Sequence, residues 1–203
     1  MKIICIGRNY MEHAHEMNSE VPEKPVFFMK PDTSLLRNNQ PFFYPDFTQE
    51  LSYEVEVVLR VNRLGRNINR RFAHRYYDAA TLGIDFTARD LQRECKQKGL
   101  PWEVAKAFDY SAPVGDFIPK KELADINHLP FRLEINDRLV QAGNTSEMIF
   151  SFDELIEHVS KFVTFRTGDL IFTGTPSGVG QVKIGDRLKA YIEDRLILDF
   201  FVR

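Results

Sequence analysis

The stretch Leu51–Leu59 restricts the fold of this chain more than any other. Its odd positions, Leu51, Tyr53, Val55, Val57 and Leu59, are all apolar, and Glu54 and Glu56 lie between them. Side chains alternate across a strand, so one face of the segment must be covered by a core. A helix would scatter the same residues around its circumference. The pattern predicts a strand in a packed sheet. The two glutamates then share its other face, with Cα atoms about 6.6 Å apart at roughly 3.3 Å per residue.

Short apolar runs separated by turn residues continue along the chain. Lys2–Ile6, Val26–Met29, Thr81–Phe86, Leu170–Thr173, Arg187–Ile192 and Leu196–Val202 read as further strands. Phe131–Gln141 reads as a hairpin turning near Asn136-Asp137. Helices are predicted over shorter stretches. One follows an N-cap at Asn9, with Glu12 three residues on, and runs through Met17; another spans Arg71–Ala80. A third opens on a Thr87/Asp90 capping box and runs to Lys98, and a fourth opens on Ser151/Glu154 and runs to Phe162. Strands dominate, so the expected class is a β-rich α+β fold. With 203 residues and 43% hydrophobic side chains, one domain over residues 1–203 is expected, with core enough to fold unaided.

Several function classes are disfavoured by composition. A formal net charge of −2, with acids and bases interspersed, offers no electrostatic footprint for nucleic acid or an anionic membrane. Cys5 and Cys95 lie far apart and form no C-x-x-C, as expected in a reducing compartment. The apolar run at Ile3–Ile6 is too short for a signal peptide, and no stretch approaches the ~20 apolar residues of a spanning helix. A cytoplasmic location is the expectation.

The residues that could carry chemistry fall into three groups. Glu54 and Glu56 point the same way and repel unless a cation lies between them, and Asp85 ends a strand where a side chain is aimed into a crevice. Oxygen-only ligands suit Mg²⁺ or Mn²⁺ better than Zn²⁺. An ordinary amphipathic strand with glutamates on its wet face has the same spacing, so both readings stand. His13 and Glu16, three apart on a short helix, face one side, where a carboxylate would fix the imidazole tautomer and raise its basicity. A plain surface helix would look alike. Lys106 interrupts the apolar run Val104-Ala105 and Ala107-Phe108, which requires a partner, a ligand or an escape to solvent. The glycine-rich stretch from Gly168 to Gly180 has neither a P-loop ending nor a G-x-G-x-x-G, so a nucleotide site is not indicated. Its backbone N–H groups could still meet a carboxylate.

An ordered set of motifs adds to this reading. Gly7-Arg8-Asn9-Tyr10 with His13 and Glu16 comes first, followed by Phe28-Met29-Lys30-Pro31 and Glu54-Val55-Glu56. Asp85 through Gln92, Lys98 through Trp102 with Ala105-Lys106, and Gly174-Thr175-Pro176 with Gly178-Val179-Gly180 complete it. In this order the chain resembles the fumarylacetoacetate hydrolase superfamily, in its short acylpyruvate hydrolase/oxaloacetate decarboxylase-like group. One departure is Val57-Val58-Leu59-Arg60, where relatives commonly carry a glycine before a basic residue. The resemblance implies a mixed β-roll, a distorted barrel or sandwich, usually homodimeric. It implies Glu54, Glu56 and Asp85 as Mg²⁺/Mn²⁺ ligands, His13 and Glu16 as a water-activating dyad, and Lys106 as a lysine reaching the substrate. Lys30, Gln92 and Thr175 are implied on the substrate-facing wall.

The activity expected from this resemblance is metal-dependent cleavage of the C3–C4 bond of acylpyruvates through a metal-stabilised pyruvate enolate. The same site would serve oxaloacetate decarboxylation or tautomerisation, or isomerisation of a hydroxydienoate. A 2-oxo-acid binding protein without turnover is the reading from a different class.

Overall fold

The alternating segment is extended, as its pattern predicts, but it forms two strands, Leu51–Tyr53 and Val55–Val61. The break falls at Glu54 because the Val55 N–H donates to the Gln141 side-chain oxygen (2.9 Å) instead of to a neighbouring strand. Both faces of Val55–Val61 are covered: Val55, Val57 and Leu59 enter the main core, and Val58 a smaller one. Burying each such side chain contributes on the order of 1.5–3 kcal/mol. That burial holds the strand in register.

The computed structural model describes residues 1–16 and 20–203. Among them the strands form four sheets, none closed into a barrel. The largest runs Val26–Lys30, Ile3–Gly7, Leu170–Phe172, Val55–Val61, Tyr77–Ile84 and Ile118–Pro119. It is mixed: Ile3–Gly7 pairs in parallel with Leu170–Phe172, and its other pairs are antiparallel. A four-stranded antiparallel sheet of Arg138–Asn144, Pro130–Ile135, Arg187–Ile192 and Arg195–Phe201 packs on it. The main core between them includes Leu59, Leu82 and Ile84 from one sheet and Leu133, Ala190 and Phe200 from the other. The fold is thus a β-rich α+β arrangement of mixed sheets. No helix among the described residues is long and apolar enough to cross a membrane.

Two local signals held where chain neighbours alone decide the conformation. Asn136 and Asp137 both adopt positive φ (52° and 61°), the pair of left-handed residues that a two-residue hairpin turn needs. Ser151 and Glu154 form the expected reciprocal cap of helix Phe152–Ser160.

Three local signals were overridden by tertiary partners. Asn9 does not cap the helix Met11–Glu16; its amide donates to the Thr173 and Phe150 carbonyls and accepts from the Phe150 N–H, tying together segments 141 or more residues away. The expected end of that helix, Met17, lies outside the described residues. Tyr77–Ala80 is strand, because Tyr77, Ala79 and Ala80 pair with Val61, Arg60 and Leu59, and only Arg70–Ala73 is helical. The helix Arg89–Lys98 forms without the Thr87/Asp90 box: Thr87 turns its hydroxyl to Glu54, and Asp90 accepts from Thr48 and Gln49.

Candidate functional site

Strand pairing brings the three acids together. Val55 sits opposite Ile84, and the Asp85 N–H donates to the Glu54 carbonyl (2.8 Å), so Glu54 and Asp85 leave adjacent strand ends side by side. Glu56 follows two residues on, with the same facing as Glu54. One carboxylate oxygen from each lies within 4.8 Å of the others. Glu54 is 6% exposed, Glu56 2% and Asp85 1%, which excludes a wet strand face. Three buried carboxylates at this distance require cations or a shared proton.

The protein supplies some of these cations. The Lys106 ammonium donates to Glu54 (2.9 Å) and Asp85 (2.8 Å), and Arg89 donates to the other Glu54 oxygen (2.5 Å). Burial opposes ionisation of Glu54, but Lys106 and Arg89 override it and hold its carboxyl well below the usual range. Burial likewise opposes the charge on Lys106, and Asp85 and Glu54 more than restore it. Glu56 is compensated least. Burial, then Asp85 and Glu54, push its carboxyl well above the usual range, against one short hydrogen bond from the Gly174 N–H (2.6 Å). Gly174 adopts φ +102°, and a Cβ there would lie 2.7 Å from the Asn9 Cβ, so glycine is required for that approach.

This donor set fits a divalent cation. All three ligands are hard oxygens, and Asp85 Oδ1 is buried without a hydrogen bond. Lys30 lies 2.8 Å from that oxygen, but directs its N–H groups to the Phe86 and Ser111 carbonyls and the Ser111 hydroxyl. Lys30 thus neutralises Asp85 by an ion pair without donating a well-aligned hydrogen bond to that oxygen. The Lys106 ammonium occupies the position of a partial stand-in between two of the three acids.

The other expected residues separate into two sets. His13, Gln92, Lys106 and Thr175 border one cavity with the three acids. Glu16 lies behind His13, with an oxygen 3.3 Å from Nδ1, and accepts from the Gly178 N–H (3.2 Å). Gly178 has φ +95°, and a Cβ there would strike the Val140 carbonyl oxygen. Lys30 is not on the cavity wall; it is fully buried behind Asp85. The Gly174 N–H meets the Glu56 carboxylate, as the glycine-rich stretch allowed, whereas no role was expected for Arg89 or Gln141. Arg89 and Gln92, three apart on a helix, were a legible pair, and Arg89 does donate to Gln92 (2.8 Å). Gln141, which accepts from Val55 and donates to Thr175 (2.9 Å), carried no local signal.

The family described as fumarylacetoacetate (FAA) hydrolase C-terminal matches residues 2–200. The chain belongs to the fumarylacetoacetate hydrolase family. Among family members, it is 43% identical over 200 residues to the mitochondrial oxaloacetate tautomerase FAHD1 of Bos taurus, covering 98% of this chain and 90% of that one. It is 41% identical over 192 residues to the mitochondrial oxaloacetate decarboxylase of Dictyostelium discoideum, covering 94% and 88%. The fold is similar to that of the Pseudomonas aeruginosa fumarylpyruvate hydrolase in complex with Mn²⁺ and pyruvate, with a TM-score of 0.94 and 34% identity, covering 100% and 89%. The first two relatives are mitochondrial, so they lend nothing to the cytoplasmic expectation.

Lys106 separates folding from ion loading. Lys106→Met removes a cation from buried acids, and the ion-free protein is expected to lose about 3–5 kcal/mol of stability. Saturating Mn²⁺ should restore much of it, read by urea denaturation with and without the ion. A loss indifferent to Mn²⁺ would leave Lys106 as a structural bridge alone.

Proposed function

We propose that this family member is a divalent-metal enzyme that moves a proton on small 2-oxo acids, with oxaloacetate tautomerisation as the first reading. The observation that carries it is the cavity in which His13 stands over three converging buried acids. The identity to oxaloacetate tautomerases over nearly the whole chain supports the substrate. Glu54, Glu56 and Asp85 would hold a divalent ion, Mg²⁺ or Mn²⁺, which would supply positive charge to stabilise an enolate on the substrate head.

The chain's own residues do the rest. Glu16 at the Nδ1 of His13 holds the imidazole tautomer, leaving Nε2 as the atom that takes the proton from the enol oxygen and delivers one to C3, or the reverse. Lys106 donates to two acids and has a third N–H for a substrate oxygen. Gln92 and Thr175 border the same space and fit a role in orienting the substrate.

A second reading is acylpyruvate hydrolysis. It is favoured by the His13–Glu16 pair, which can equally take a proton from water, and by the likeness to a fumarylpyruvate hydrolase. Water would then attack the C4 carbonyl, the C3–C4 bond would break and pyruvate enolate would leave. One domain over residues 1–203, supported by the match across 2–200, and a homodimeric assembly belong to the same proposal. Side-by-side turnover of enol-oxaloacetate, acetylpyruvate, fumarylpyruvate and a hydroxydienoate, with Mn²⁺ or Mg²⁺, tests it. Oxaloacetate is expected to turn over fastest. Faster cleavage of an acylpyruvate selects the second reading, and ion binding without turnover of any substrate makes the chain a binding protein.

A further inference from the structure

The helix Arg89–Lys98 presents Arg89, Gln92 and Lys96 at i, i+3 and i+7, one face of a helix, and all three border the cavity. Its outward cations are paired: Arg93 with Glu50 (2.6 Å) and Lys98 with Glu94 (2.7 Å). On the cavity face, Arg89 is paired with Glu54. Lys96 is not: among the described residues no carboxylate lies within ion-pair distance of it. Its ammonium instead stands 5.4 Å from the centre of the Trp102 ring, which also borders the cavity.

Arg8 is the second unpartnered cation of this cavity. It adopts φ 59°, a left-handed conformation unfavourable for any residue with a Cβ, and donates no hydrogen bond to a described residue. Burial and then the like charges of Arg89, Arg8 and Lys106 draw the Lys96 ammonium below its usual range. Lys106 and Arg89 pair with the acids of the cavity, which leaves Arg8 and Lys96 facing it without a carboxylate partner among the described residues.

We propose that Lys96, with Arg8, binds the second carboxylate of a dicarboxylic 2-oxo acid, so that these two cations set the preference for diacid over monoacid substrates. This rests on the reading of the site as a 2-oxo-acid site. The ion and Lys106 serve the head common to all such acids, whereas Lys96 meets only a substrate that carries a charge at its far end. A freely solvated lysine would discriminate nothing.

The test compares two unreactive probes of equal chain length, 2-oxoglutarate and 2-oxopentanoate, binding to the Mn²⁺-loaded protein by calorimetry. They differ in a terminal carboxylate against a methyl group. The wild type is expected to bind the diacid about tenfold or more tightly, as one charge-assisted hydrogen bond allows. Lys96→Met should lower the ratio of affinities severalfold, Lys96→Met combined with Arg8→Gln should bring it near one, and Lys96→Arg should keep it. Equal binding of both probes by the wild type, or a ratio unaltered by Lys96→Met, overturns the proposal. Failure of every substrate to turn over, with the ratio intact, would refute the proposed reaction and leave the diacid preference standing.

Discussion

Replacing Glu56 by glutamine is expected to abolish divalent-ion binding while leaving the ion-free protein at least as stable as the wild type. Glu56 is the acid whose charge the protein compensates least, since Lys106 and Arg89 pair with Glu54, and Lys106 and Lys30 with Asp85. Its raised proton affinity, caused by burial and then by Asp85 and Glu54, is a cost the ion-free fold carries. Glutamine keeps the shape and can still accept from the Gly174 N–H, but removes both the repulsion and the ligand charge. Mn²⁺ affinity should fall by more than the roughly 10–100-fold that supporting residues cost. Turnover should fall to background with it. Calorimetric Mn²⁺ titration and urea denaturation check the two halves separately. Full activity in chelator-treated wild-type protein would falsify the ligand assignment.

His13→Ala is expected to lower turnover by about 10²–10⁴-fold, the usual worth of a positioned general base. Mn²⁺ affinity should stay close to that of the wild type, because the ligand oxygens come from Glu54, Glu56 and Asp85. His13 is buried on a short helix, so urea denaturation is read beside turnover, and a rate loss at unchanged stability is one of chemistry. Glu16→Gln should cost less, since Glu16 acts through His13, and its contact with the Gly178 N–H can be kept by an amide oxygen. Single-turnover rates at saturating Mn²⁺ read both variants. An unaltered rate in His13→Ala removes the imidazole from the reaction.

The sequence carried much of the architecture and named the three acids. The alternation of Leu51–Leu59, the Asn136-Asp137 turn and the Ser151/Glu154 cap are properties of neighbouring residues, and each appears where its neighbours place it. The acids came from the family resemblance, because their spacing alone equally described a wet strand. The local signals that failed at Asn9, Thr87 and Tyr77–Ala80 lost to partners far along the chain.

Only the tertiary structure decided the electrostatics. Whether Glu56 is charged depends on Asp85 and on a Gly174 N–H that is 118 residues away, and Lys30 turned from a wall residue into a buried support for Asp85. A cap or a two-residue turn is worth on the order of 1 kcal/mol and is written in a few adjacent residues. A buried carboxylate is worth several times that, and its state is set by whichever groups the packed sheets bring against it.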